Sequence, residues 1–118
     1  MYDIRADLKN NILLMRLEGK MSDQELKEGA DHCISEAKKL KAGYTIINDI
    51  SKMKPATTAG EQEIVRVQSF VVNHGVGIII RVVNDRDTKS QFQKTEDQAG
   101  YTAIQARSVD EAYEILNL

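Results

Sequence analysis

The run Gly77-Ile78-Ile79-Ile80-Arg81-Val82-Val83 constrains this chain more than any other feature, because it is apolar at nearly every position and mostly β-branched. A strand with one wet face alternates apolar and polar residues. A run without that alternation belongs to a central strand covered on both faces, as in α/β sheets. Such a strand cannot lie at the surface, and it demands layers on both sides of its sheet. The surrounding stretch, Val76 to Val83, is broken by Gly77 and Arg81 and is far too short to cross a bilayer.

The rest of the chain supplies those layers. Tyr2, Ile4, Ala6 and Leu8 alternate with polar or charged residues, and Lys9-Asn10-Asn11 offers turn residues tolerant of positive φ, so a hairpin opens the fold. Ile12 to Leu17 reads as a more buried strand ending near Gly19. Ser22-Asp23-Gln24-Glu25 has capping-box spacing, and Leu26, Ala30, Cys33, Ala37 and Leu40 follow at intervals of four, three, four and three. That pattern predicts an amphipathic helix ended by Gly43. Tyr44 to Asn48 reads as a buried strand. Thr58-Ala59-Gly60-Glu61 repeats the capping-box spacing and predicts a second helix, with Ile64, Val67 and Val71 inward, to about His74-Gly75.

Asp87 or Thr88 can cap a third helix that carries Phe92 inward and ends at Gly100, before a short strand from Tyr101 to Gln105. Ser108-Val109-Asp110-Glu111 opens a last helix with Ala112, Tyr113 and Leu116 on its apolar side. The order β-β-α-β-α-β-α-β-α predicts an α/β fold: a mixed, mostly parallel five-stranded sheet with about four helices, right-handed crossovers and an antiparallel first strand.

With 118 residues, 42% apolar and 29% charged, the expectation is one domain, residues 1–118, with one core. A net charge of −2, with both signs interspersed, argues against a nucleic-acid footprint and against a polybasic membrane patch. One cysteine makes no internal disulfide, and Met1 to Asp7 has no apolar leader core, so a cytoplasmic location is expected. Cys33 falls on the apolar stripe of the first helix and reads as a buried, inert thiol. His32 and His74 have no cysteine or carboxylate at ligand spacing and read as surface residues. No P-loop, G-x-G-x-x-G, paired cysteines or nucleophile elbow is present, so neither an enzyme nor a cofactor is expected.

Function is expected where the Tyr44–Asn48 strand runs into Asp49-Ile50-Ser51-Lys52-Met53-Lys54-Pro55-Ala56-Thr57-Thr58-Ala59-Gly60 and a helix leaves. Loops beyond the carboxyl ends of strands are where α/β sheets gather their sites. Asp49, Asp85 and Asp87 are placed at neighbouring strand ends, where carboxylates are ordinarily solvated or capping. Without a spacing motif no metal is expected.

The element order and this loop together resemble the STAS domain, named for sulfate transporters and anti-sigma factor antagonists. Its signature is an aspartate, an aliphatic, often a serine, and then a D-S-S-G quartet at the start of the second helix. Asp49, Ile50 and Ser51 fit the opening, and Thr57, Thr58, Ala59 and Gly60 fall on the quartet, with Thr58 on the phosphoacceptor serine. Leu17-Glu18-Gly19 and Phe92 with Gly100-Tyr101 resemble two further family patterns. Thr57 stands for the aspartate, Ala59 for the second serine, and Glu61 replaces the apolar residue after the glycine.

The resemblance implies a protein-interaction module whose partner is an anti-sigma factor or kinase-like regulator, switched by phosphorylation at Thr58, with Thr57 the second candidate acceptor. Asp49, Ser51, Thr57, Thr58, Gly60 and Asp85 would form the binding loop: Asp49 supporting it, Gly60 letting the backbone approach the partner. The plainer reading of Thr58 is a helix cap, accepting from the Glu61 N–H while Glu61 reaches back. The alternative function is a STAS-like small-molecule or lipid-binding domain with a pocket at this loop. A homodimer is a third expectation.

Overall fold

The computed structural model describes residues 1–118. The strands are β1 (Tyr2–Asp7), β2 (Ile12–Gly19), β3 (Thr45–Met53), β4 (Ile78–Val82) and β5 (Ile104–Ala106). The helices are α1 (Asp23–Ala37), α2 (Thr58–Asn73), α3 (Arg86–Ala99) and α4 (Val109–Ile115). The five strands lie in the order β1-β2-β3-β4-β5, and only β1 runs antiparallel to its neighbour. The α/β class, the mixed sheet and the four helices are those the sequence predicts.

Three helices cover one face of the sheet and one covers the other. Leu13, Met15, Ile46 and Ile79 pack against Cys33 and Ala37 of α1 and Val71 of α2. Farther along, Leu17, Ile50 and Met53 meet Leu26 of α1, Ile64 of α2 and Phe92 of α3. On the reverse face Ile12, Ile47, Ile80, Val82 and Ala106 pack against Ala112 of α4. β4 is therefore enclosed on both sides, as its composition demands, except at Ile78, which is 42% exposed.

Several boundaries differ from the sequence reading. α1 stops at Ala37, and Leu40 reaches the core from the turn that follows instead of from the helix. β3 runs on to Met53, because its parallel pairing with β2 continues to the Gly19–Met53 register. Asp49 and Ser51 are thus strand residues. α3 is capped by Asp85 and not by Asp87 or Thr88, since the Asp85 carboxylate accepts the Thr88 N–H at 2.9 Å. Thr88, fully buried, instead shares its one hydroxyl proton between the Met53 carbonyl and the Asp85 carboxylate, each at 2.9 Å, tying α3 to the end of β3. β5 is shifted to Ile104–Ala106, in register with Ile80–Val82.

Cys33 is buried at 0% exposure, and burial pushes its thiol from an ordinary 9.0 to about 12. The unfolded thiol ionises first, so its contribution to stability is whole below pH 9 and is lost as pH rises towards 12. At pH 8 an alkylating reagent is expected to leave native Cys33 unmodified and to label it fully in denaturant, as intact mass would record. Fast labelling of the native chain would show that α1 does not hold against the sheet.

Candidate functional site

The crossing from β3 to α2 is held by three neighbouring elements, β2, α3 and α1. The Lys54 N–H donates to the Gly19 carbonyl at 3.0 Å. Gln91 of α3 grips Ala56 from both sides, accepting its N–H at 2.8 Å and donating to its carbonyl at 2.9 Å. Thr57 accepts the Gly60 N–H at 3.0 Å, which makes it the N-cap of α2, and donates its own hydroxyl to Asp23 at the start of α1. The two helix starts are thereby fastened together, with no deep pocket at the loop.

Thr57, and not Thr58, is the cap. Both residue types can cap, and the register is settled by Asp23, which receives Thr57, and by the packing of the next turn. Thr58 becomes the first residue of α2, exposed, and its hydroxyl makes no hydrogen bond within the chain. Glu61 does not reach back. It is 8% exposed and pairs with Lys94 of α3 at 3.2 Å. Glu63 pairs with Arg66 at 2.7 Å, and Arg66 also holds Asp31 of α1 at 2.8 Å. The carboxylates that oppose an anion at the start of α2 are thus largely neutralised, Glu61 by Lys94 of α3 and Glu63 by Arg66 one turn on.

Gly60 is buried, and a Cβ there would lie 2.5 Å from Leu26 Cδ1. The missing Cβ lets α1 and α2 pack this closely. Asp49 and Ser51 are not brought to Thr58. Alternation along β3 puts Asn48 and Ile50 on the face under α1 and α2, and turns Asp49 and Ser51 to the opposite face. There Asp49 Oδ1 accepts from both the Ser51 hydroxyl, at 2.6 Å, and the Ser51 N–H, at 3.1 Å, and the residue borders a groove with Asp3, Arg5 and Arg16. Asp85 is occupied as the α3 cap, and its two bonds from Thr88, backbone first, hold its carboxyl below the usual carboxylate range. No three His, Cys, Asp or Glu side chains come together as a metal site would require.

The structure also assembles a buried polar group that the sequence reading passed over. Arg81, fully buried in β4, pairs with Glu96 of α3 at 3.1 Å and donates to the Tyr101 hydroxyl at 3.1 Å. Its guanidinium carbon sits 5.5 Å from the centre of the Phe92 ring. Asn48 stands beside it in register on β3, and Gln68 of α2 is buried above the same face of the sheet. The one signal in the sequence was the charge itself: an arginine inside an apolar run must be paired or must break the run.

A mixed five-stranded sheet with one antiparallel edge strand and helices on both faces is the STAS-like architecture, and solved proteins share it over nearly their full length. The anti-sigma factor antagonist SpoIIAA in its unphosphorylated form superposes with a TM-score of 0.62 at 12% identity, over 99% of this chain and 98% of that one. A proposed anti-sigma factor antagonist from Thermotoga maritima superposes with a TM-score of 0.64 at 11% identity, over 100% and 96%. The sequence matches no protein-family model and no curated protein. At these identities the likeness is one of fold.

Proposed function

We propose that the chain is a non-enzymatic regulator of the anti-sigma factor antagonist type, binding a protein partner through the exposed start of α2 and releasing it when Thr58 is phosphorylated. The observation that carries this reading is the state of the two threonines. Thr57 is used twice, as cap and as donor to Asp23, whereas the Thr58 hydroxyl is exposed and unengaged. A kinase could reach Thr58 without dismantling the α1–α2 junction. The partner would be an anti-sigma factor or kinase-like regulator in the cytoplasm, with no nucleic acid or membrane involved. Of the solved neighbours of the same fold, SpoIIAA is an antagonist of this kind and the Thermotoga maritima protein a proposed one.

The energetics favour a switch at the interface over a switch in the fold. A phosphate adds about −1.5 to −2 charges. At an exposed helix start an anion is favoured by roughly 0.3–1 kcal/mol, so α2 stays formed. Placing that charge against a partner costs several kcal/mol, at about 1.4 kcal/mol per tenfold in affinity. Wild type and Thr58→Ala are expected to capture the same partner from a lysate of the source organism. Thr58→Glu is expected to capture at least tenfold less while melting within a few degrees of wild type. Equal capture by all three proteins would overturn the switch and leave Thr58 a solvated helix residue.

A further inference from the structure

We propose that the hollow beneath α2 is a binding site for small neutral aliphatic alcohols. It lies between the helix-covered face of the sheet and the α1–α2 pair, has a volume of about 60 Å³, and is walled mainly by apolar residues, among them Ile46, Ile64, Val71 and Ile79. Two of its walls are polar. Asn48, 9% exposed, and Gln68, 6% exposed, both line it, and Asn48 Oδ1 and Gln68 Oε1 have no hydrogen-bond partner in the chain. Buried amide oxygens are ordinarily satisfied, so two orphans on one cavity call for a guest.

The chemistry of the walls selects that guest. Two amide oxygens accept hydrogen bonds and repel a carboxylate. An ammonium would need a carboxylate, and Glu63, on the rim, is already committed to Arg66 at 2.7 Å. A hydroxyl both donates and accepts, so it satisfies an amide in either orientation, while its alkyl body covers the apolar wall. Size limits the body: an apolar cavity of about 150 Å³ takes the six heavy atoms of benzene, so this one fits roughly two or three, the size of methanol or ethanol. Half-buried Glu63 and Val67 give the hollow a way out along α2.

The test is an amide-resolved NMR titration of the whole chain with ethanol, ethylammonium and xenon, repeated on Gln68→Leu and Asn48→Leu. We expect saturable shifts from ethanol confined to residues lining the hollow, at least tenfold weaker binding in each variant, and no saturable response to ethylammonium. Xenon, which needs no hydrogen bond, should still shift the same residues in both variants, showing that the fold and the hollow persist. Non-saturating shifts with ethanol, or equal affinity in wild type and variants, would overturn the proposal and mark the hollow as a packing space or a place for water. Neither result depends on whether Thr58 governs partner capture.

Discussion

Replacing Arg81 by alanine is expected to destabilise the protein by about 3–5 kcal/mol, the cost of breaking a buried ion pair from one side. Arg81 is fully buried, and its partner Glu96 is 8% exposed. With the guanidinium gone, the Glu96 carboxylate would keep the Ala103 N–H, at 2.9 Å, as its remaining donor. The hydroxyl of Tyr101 and the face of Phe92 would lose their cation as well. The loss should lower the melting temperature by about 10 °C or more for a domain of this size. Arg81→Met combined with Glu96→Gln is expected to lie within about 1–2 kcal/mol of wild type, because it removes both charges and leaves a group that still accepts from Ala103. Urea denaturation with an unchanged slope would measure both. A loss below about 1 kcal/mol for Arg81→Ala would mean that water reaches the pair and that α3 is not sealed over β4.

Ile80→Ala and Ile78→Ala, the same substitution two residues apart on one strand, are expected to differ several-fold. Ile80 has no exposed surface and packs among Ile12, Ile47, Val82 and Ala112. Removing its side chain beyond Cβ loses the transfer energy and leaves a cavity under α4, together about 2–5 kcal/mol. Ile78 is 42% exposed at the start of the strand. It forfeits little burial and leaves no enclosed space, so its loss should stay below about 1 kcal/mol. Thermal or urea unfolding of the two variants would measure the difference. A large loss at Ile78 would reveal that this end of β4 is covered in solution, as it would be in the homodimer that the sequence reading entertained.

The pinned crossing sets how experiments at Thr58 can be read. Because Gln91, Asp23 and Gly19 hold the loop from three other elements, a change confined to the Thr58 side chain has no route to the core. An effect on partner capture would then report the interface itself. Thr57→Ala is not equivalent, since it removes the cap and the link to α1 together.

Local chemistry in the sequence determined the elements of this protein. The alternation in β1, the unbroken apolar run of β4, the capping box at Ser22 that the structure forms, the serine cap of α4 and the left-handed Gly100 all act within one turn or one strand. Their physical causes are complete in a few consecutive residues, and so are legible there. Only the tertiary structure decided which of two adjacent threonines caps α2, because the choice rests on Asp23, 34 residues away. It also decided that Asp49 and Ser51 turn from Thr58, since β3 extends only by pairing with β2 as far as Gly19. The set of buried Asn48, Gln68, Arg81 and Glu96 with half-buried Tyr101 belongs to the same class: β3, β4, α2, α3 and the segment after α3 each contribute one member. No local pattern encodes such a group, because its stability comes from desolvated partners that meet only once the helices are laid on the sheet.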